Sequence, residues 1–132
     1  MRLNLPKLVA LVALLVLPCW GCGSSSGTPV SLIPVKGKVT YKGQPVSKGS
    51  IQFEPDGYGR PATGELQADG TFELSTLKPG DGVVAGKHRI SIAELDKSLS
   101  KDRALKKYGS PVTSRLTAEV NPEKTEFTFD LK

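Results

Sequence analysis

The sequence predicts an all-β protein, an antiparallel β-sandwich of about seven short strands, and three observations predict it. Apolar and polar residues alternate with a period of two in segment after segment between Val35 and Leu131. Turn signals such as "KGQP", "PDGYGRP", "ADG", "KPGDG" and "NPEK" separate those segments. The 14 glycines and 10 prolines in 132 residues imply many turns, and so many short elements. One-faced strands in that number would leave an open sheet with an uncovered apolar side, which two sheets packed face to face remove.

Taken in order, Val35, Gly37, Val39 and Tyr41 share one face of a first strand, with Lys36, Lys38 and Thr40 on the other. Lys42 to Pro45 turns the chain, and Ile51 and Phe53 alternate with Ser50, Gln52 and Glu54 in a second strand. A third has Ala62, Gly64, Leu66 and Ala68 inward and ends at Asp69-Gly70. Both of these residues tolerate positive φ, the signal of a hairpin whose return strand puts Phe72 and Leu74 inward. Val83 to Ala93 forms the next, with His88, Ile90 and Ile92 on one face. Glu94 to Gly109 is charge-dense and has no period of two; Leu95, Leu99 and Leu105 recur at loosely helical spacing, which reads as a long loop with room for a short helix. Leu116, Ala118 and Val120, then Phe127, Phe129 and Leu131, complete the set. The predicted core is mainly Val, Ile and Leu with a few Phe.

The N-terminus reads differently. Met1 to Gly21 has Arg2 and Lys7 at its start and an uncharged apolar run from Leu8 to Leu17, the build of a secretory signal. Residues 22–33, opening "CGSSSGTP", have almost nothing to bury and read as a flexible Gly/Ser tether, which leaves 34–132 as the folded domain. The only cysteines, Cys19 and Cys22, could be a redox pair, a metal pair, a disulfide or a processing signal. Cys22 follows the small residue Gly21 and precedes the tether, an arrangement that resembles a bacterial lipobox; Trp20 and Cys19 are its departures. Cys22 is therefore the expected lipidation site, by a palmitate-type acyl chain. The partner so implied is a membrane, held through the N-terminal lipid, in a periplasmic or cell-surface lipoprotein.

Charge and composition argue against several functions. The chain has 18 basic and 13 acidic residues, and removing the signal takes two basic residues away, so nucleic acid is not an expected partner. No G-x-S-x-G elbow presents a serine, and the single histidine, His88, is expected to point into the sandwich, packed or hydrogen-bonded near a sheet edge. Zinc would need about four N or S ligands, more than Cys22 and His88 supply. Asp56, Asp69 and Asp81 each precede a glycine, as turns require, and no D-x-D-x-D spacing gathers them for calcium. Gly57, Gly59 and Gly64 do not form a phosphate cradle. No metal, cofactor or catalytic residue is expected.

The segments "VKGKVTYKGQPVSKGSIQFEPD" and "TGELQADGTFELSTLKPGDGVVAGKHRISI" resemble the carboxypeptidase regulatory-like domain, a transthyretin-like (prealbumin-like) β-sandwich. Gly37, Val39, Gly43, Pro45, Val46, Asp69, Gly70, Phe72, Gly86, Ile90 and Ile92 match its pattern, while His88 stands where the family usually has Tyr. The ending "KKYGSPVTSRLTAEVNPEKTEFTFDL" is similar to small bacterial lipoproteins of planctomycete type. The resemblance implies a non-catalytic accessory or surface domain. One transthyretin-like fold, hydroxyisourate hydrolase, is an enzyme; it uses several histidines and ends Tyr-Arg-Gly-Ser, whereas this chain has one histidine and ends "FDLK". Two further functions stay open: a structural module at the cell envelope, or a module that binds a polysaccharide or protein partner. For the second, the candidate residues are Lys97, Lys101, Arg103, Lys106 and Lys107 in the 94–109 loop, whose alternative reading is a solvated insertion. The oligomeric state is not encoded in any recognisable interface pattern.

Overall fold

The computed structural model describes residues 30–132; the expected signal, both cysteines and the expected tether as far as Pro29 lie outside the described residues. The fold is an all-β sandwich. Among the described residues ten strand segments occur, β1 (Leu32–Ile33), β2 (Lys36–Tyr41), β3 (Gln44–Pro45), β4 (Ser50–Pro55), β5 (Ala62–Glu65), β6 (Thr71–Glu73), β7 (Val83–Val84), β8 (Gly86–Ala93), β9 (Leu116–Val120) and β10 (Glu126–Leu131). Seven of them are three residues or longer, the number the alternation predicts.

One sheet runs β5-β4-β8-β9, antiparallel throughout, with Phe53 opposite Ile90 and Ile51 opposite Ile92. The other is centred on β2, which pairs with β10 on one side and with β3 and β6 on the other. Between the sheets, Val39, Phe72, Phe127 and Phe129 face Ile51, Phe53, Ile90, Ile92 and Val120, all buried. Phe53 is the hub: its ring centroid lies 6.2 Å from Phe72, 5.9 Å from Phe127 and 6.0 Å from Phe129, in the tilted and edge-on geometries that aromatic quadrupoles favour. All four phenylalanines of the chain thus meet in the middle, a more aromatic centre than the sequence suggested. Gly37 is required there, because a Cβ would stand 2.6 Å from Phe72 Cζ and closer still to the Phe127 carbonyl.

Four expectations need correction. The sandwich is not wholly antiparallel, since β10 runs parallel to β2, Phe129 beside Val39. The Asn121–Lys124 turn, in which Asn121 Oδ1 accepts the Glu123 and Lys124 N–H groups at 2.9 Å each, passes the chain from one sheet to the other. It delivers β10 to the end at which β2 also begins, so the two must run the same way. Asp69-Gly70 does turn the chain, with the Gln67 N–H donating to the Thr71 carbonyl at 2.8 Å. Its two arms stay linked by the Thr63–Ser75 bridge, each N–H donating to the opposite carbonyl at 3.0 and 2.8 Å, while their longer ladders go to different sheets, β5 to β4 and β6 to β2. Ala68 is consequently exposed rather than inward. The folded domain begins at Leu32 and not at residue 34, since Leu32 and Ile33 pair with Val84 and Val83. His88 is indeed buried, but on β8, a strand flanked on both sides by β4 and β9, and not at an edge.

The strand directions define two ends. The chain enters at one, together with the loops at residues 56–61, 74–82 and 121–125. The β2–β3 turn, the β5–β6 turn, segment 94–115 and Lys132 lie at the other. A six-residue strand such as β2 sets these ends roughly 20 Å apart.

Candidate functional site

The segment between β8 and β9 is built rather than loose. It contains a short helix α1 (Lys97–Ser100), a 3₁₀ turn (Lys106–Gly109) and a second short helix α2 (Pro111–Ser114), of which the sequence foresaw at most one. Leu105 and Tyr108 are buried in the core, while Leu95 and Leu99 pack half-buried against it, which explains the leucine spacing. Tyr108 escaped the sequence reading, because one aromatic in a charged stretch has no periodic partner. Its hydroxyl donates to the Lys132 carbonyl and accepts from the Lys132 N–H, both at 3.1 Å, so it ties the segment to the end of β10. Ser110 caps α2, accepting from the Val112 N–H, and Pro111 occupies the first helical position, where its missing N–H costs nothing. The buried Ser114 hydroxyl donates to the Ile90 carbonyl.

These anchors hold the candidate cations on the outside. Lys97 opens α1, Lys101 and Arg103 follow it, and Lys106 and Lys107 lie in the 3₁₀ turn; all five are exposed. Among the described residues the ion pairs are Lys36–Glu126, Arg89–Glu54 and Arg89–Asp56, so none engages this group. Two neighbouring ammonium groups lie over aromatic rings, Lys42 over Tyr41 at 4.9 Å and Lys107 over Tyr108 at 5.0 Å. Asp102 is the carboxylate embedded among them. Its pKa is lowered chiefly by the Tyr41 hydroxyl, which donates to Oδ2 at 2.6 Å, and also by the Ala104 N–H. Lys42, beside the Tyr41 oxygen and Asp102, is held above its ordinary value. The backbone that carries these cations is anchored, while their side chains stand in solvent.

His88 has no access to solvent. Its Nε2 lies 2.8 Å from the Val84 carbonyl, which can only accept, so this nitrogen carries the proton; Nδ1 has no partner. Burial pushes the imidazole pKa below its ordinary value. The aspartates of the Asp-Gly pairs serve turns or a neighbouring cation. Asp69 accepts from the Thr71 N–H and hydroxyl, Asp81 accepts from three successive N–H groups of residues 76–78, and Asp56 faces the Arg89 guanidinium at 2.9 Å. Among the described residues no three His, Cys, Asp or Glu side chains cluster as metal ligands. No described helix is long and apolar enough to cross a membrane. A groove of about 670 Å³ runs over the β2–β6–β10 face and mixes Lys36 and Lys38 with Glu65, Glu73 and Glu126, without a convergent set of one charge.

The fold defines the class: an all-β sandwich domain. No family model matches the chain, and no curated protein matches it. Among solved structures, a DUF3823 family protein from Parabacteroides merdae ATCC 43184 is similar at 20% identity with a TM-score of 0.40. The likeness covers 74% of this chain, which spans 43% of that one.

Proposed function

We propose that the chain is a non-catalytic, lipid-anchored β-sandwich module of the bacterial cell envelope, attached through Cys22 and related to the carboxypeptidase regulatory-like, transthyretin-like domains it resembles. One observation carries this reading: the chain joins the sandwich at a single end, through β1 on β7, about ten residues after Cys22. A flexible stretch of that length spans roughly 17–19 Å, so an acyl chain on Cys22 would hold the domain by that end, just off a membrane. Each buried methylene adds about 0.8 kcal/mol, and two chains make the attachment firm. The non-catalytic part is supported by His88, the single histidine, which is buried and spent on a backbone carbonyl. Mass spectrometry of the mature N-terminus is expected to find an acylated Cys22. Label from a palmitate analogue that persists in Cys22→Ala would overturn the anchor, and turnover of hydroxyisourate by the purified chain would overturn the absence of catalysis.

A second reading, in which the domain binds an envelope polysaccharide or protein through Lys97, Lys101, Arg103, Lys106 and Lys107, is favoured by the anchoring of their segment. Cations on a solvated insertion would not need Leu105, Tyr108 and Ser114 buried beneath them.

A further inference from the structure

We infer that the end of the sandwich remote from the chain's entry is a docking site for an anionic polysaccharide, a uronate- or sulfate-bearing glycan. The inference deepens, and rests on, the second reading of the 94–109 cations. Segment 94–115 carries six cations, Arg115 being the sixth, against Glu94, Asp96 and Asp102. Asp102 is already committed to Tyr41 and the Ala104 N–H. Lys42, Lys48 and Lys132 extend the basic surface around the same end, from the β2–β3 turn, the approach to β4 and the end of β10, and outnumber its further carboxylates Asp69 and Asp130, which are held by Thr71 and Thr40. The other end carries no such excess: Arg89 and Lys36 are paired with carboxylates, and Asp81, Glu119 and Glu123 stand against Arg60, Lys78, Lys87 and Lys124.

What surrounds the cations narrows the ligand. A protein interface needs an apolar centre, yet among the described residues Val112 is the one exposed large hydrophobic residue at this end; Val30, Tyr58 and Leu77 are at the other. Single-stranded nucleic acid is gripped by aromatic platforms, and the aromatic rings of this end, Tyr41 and Tyr108, are buried. The same lack of an exposed ring leaves nothing for the apolar face of a neutral sugar to stack on. Mostly lysines, spread over a rigid rim as separate point charges, suit a flexible chain with regularly spaced anions. Being roughly 20 Å beyond the tethered end, they face away from an anchoring lipid surface and toward envelope polymer.

The test uses the full chain in non-ionic detergent, titrated with polygalacturonate, dextran sulfate, neutral dextran and a duplex DNA oligonucleotide. Binding to the two charged glycans is expected, weakening steadily from about 50 to about 200 mM salt as released counterions dictate, with none to neutral dextran. Replacing Lys97, Lys101, Arg103 and Lys106 by Glu should weaken binding by at least about tenfold. Replacing Lys38, Arg60, Lys78 and Lys87 by Glu, the same change in net charge placed elsewhere, should change it by less than about threefold. Gln in place of Glu at all eight positions gives the same comparison, again with equal changes in net charge, if charge reversal unfolds the chain. Equal losses in the two variants, binding to neutral dextran, or tighter binding to the DNA would each overturn the inference. Mass spectrometry of Cys22 on the same preparation separates the two readings: an acylated chain that ignores the charged glycans refutes the docking site alone, and an unmodified chain that binds them refutes the anchor alone.

Discussion

The hydroxyl of Tyr41, the last residue of β2, donates a 2.6 Å hydrogen bond to Asp102 Oδ2, 61 positions along the chain. With the Tyr108 hydroxyl on Lys132, it clamps the cationic segment to both β2 and β10, the two parallel strands of one sheet. A rim that would otherwise swing on the ends of β8 and β9 is thereby fixed.

The Tyr41–Asp102 bond carries a pH signature. Because the Tyr41 hydroxyl and the Ala104 N–H favour the carboxylate, the folded pKa of Asp102 lies below the ordinary 3.8. The associated stabilisation is complete above that value and is lost as pH falls through the lower folded pKa. Tyr41→Phe should therefore lower the thermal midpoint at neutral pH, and the gap from the parent chain should close in acid below pH 3.8. A gap that persists unchanged in acid would show that the lost contribution was not this hydrogen bond. Calorimetry across the range decides.

His88 titrates in the opposite chemical sense with the same direction of effect. Its folded pKa lies below the ordinary 6.5, so below pH 6.5 the unfolded chain binds a proton that the folded chain does not. Stability should be flat above pH 6.5 and decline toward pH 5. In His88→Phe, which removes the orphaned Nδ1 and keeps the ring beside Phe53, that decline should disappear. Urea midpoints at pH 7.5 and 5.5 measure it.

Phe53 packs against every other phenylalanine of the sandwich. Phe53→Ala leaves a cavity bounded by both sheets and should cost about 3–5 kcal/mol in chemical denaturation. Phe53→Leu, which keeps most of the volume, should cost clearly less; equal losses would mean that the hub is not close-packed.

Gly82 has φ +96°, and a Cβ there would collide with the Ile33 carbonyl. Gly82→Ala should strain the backbone and push β1 off β7, at a cost of about 1–3 kcal/mol. Hydrogen exchange at Leu32 and Ile33 should quicken while the β4–β8 ladder stays protected. Unchanged exchange at β1 would show that the entry strand tolerates displacement.

Much of this architecture is readable along the chain. Val39, Ile51, Phe53, Phe72, Ile90, Val120, Phe127 and Phe129 are each assigned inward by alternation and each is buried. Alternation reports which face of a strand is apolar; it is silent on which strand lies alongside. Ala68 shows the limit: it continues the period of its strand, but the chain has already left the sheet by that point. At the candidate site, the charge of Lys97, Lys101, Arg103, Lys106 and Lys107 was legible, whereas their clamping by Tyr41, Tyr108 and Ser114 was not, since hydrogen bonds across 61 or 24 positions leave no local pattern.

By itself the sequence determined the all-β class, the number of principal strands, their inward faces, and the turns at Asp-Gly and Asn-Pro. These follow from periodicity and from residues with restricted or unusual backbone freedom, which act within a few positions of themselves. The tertiary structure decided the rest: the parallel pairing of β10 with β2, the assignment of β5 and β6 to different sheets, the capture of Leu32 and Ile33 by β7, and the placing of Lys42, Lys48 and Lys132 at the same end as segment 94–115. Those depend on which edges remain unpaired once the two sheets have closed over Phe53, a condition set by the whole sandwich at once.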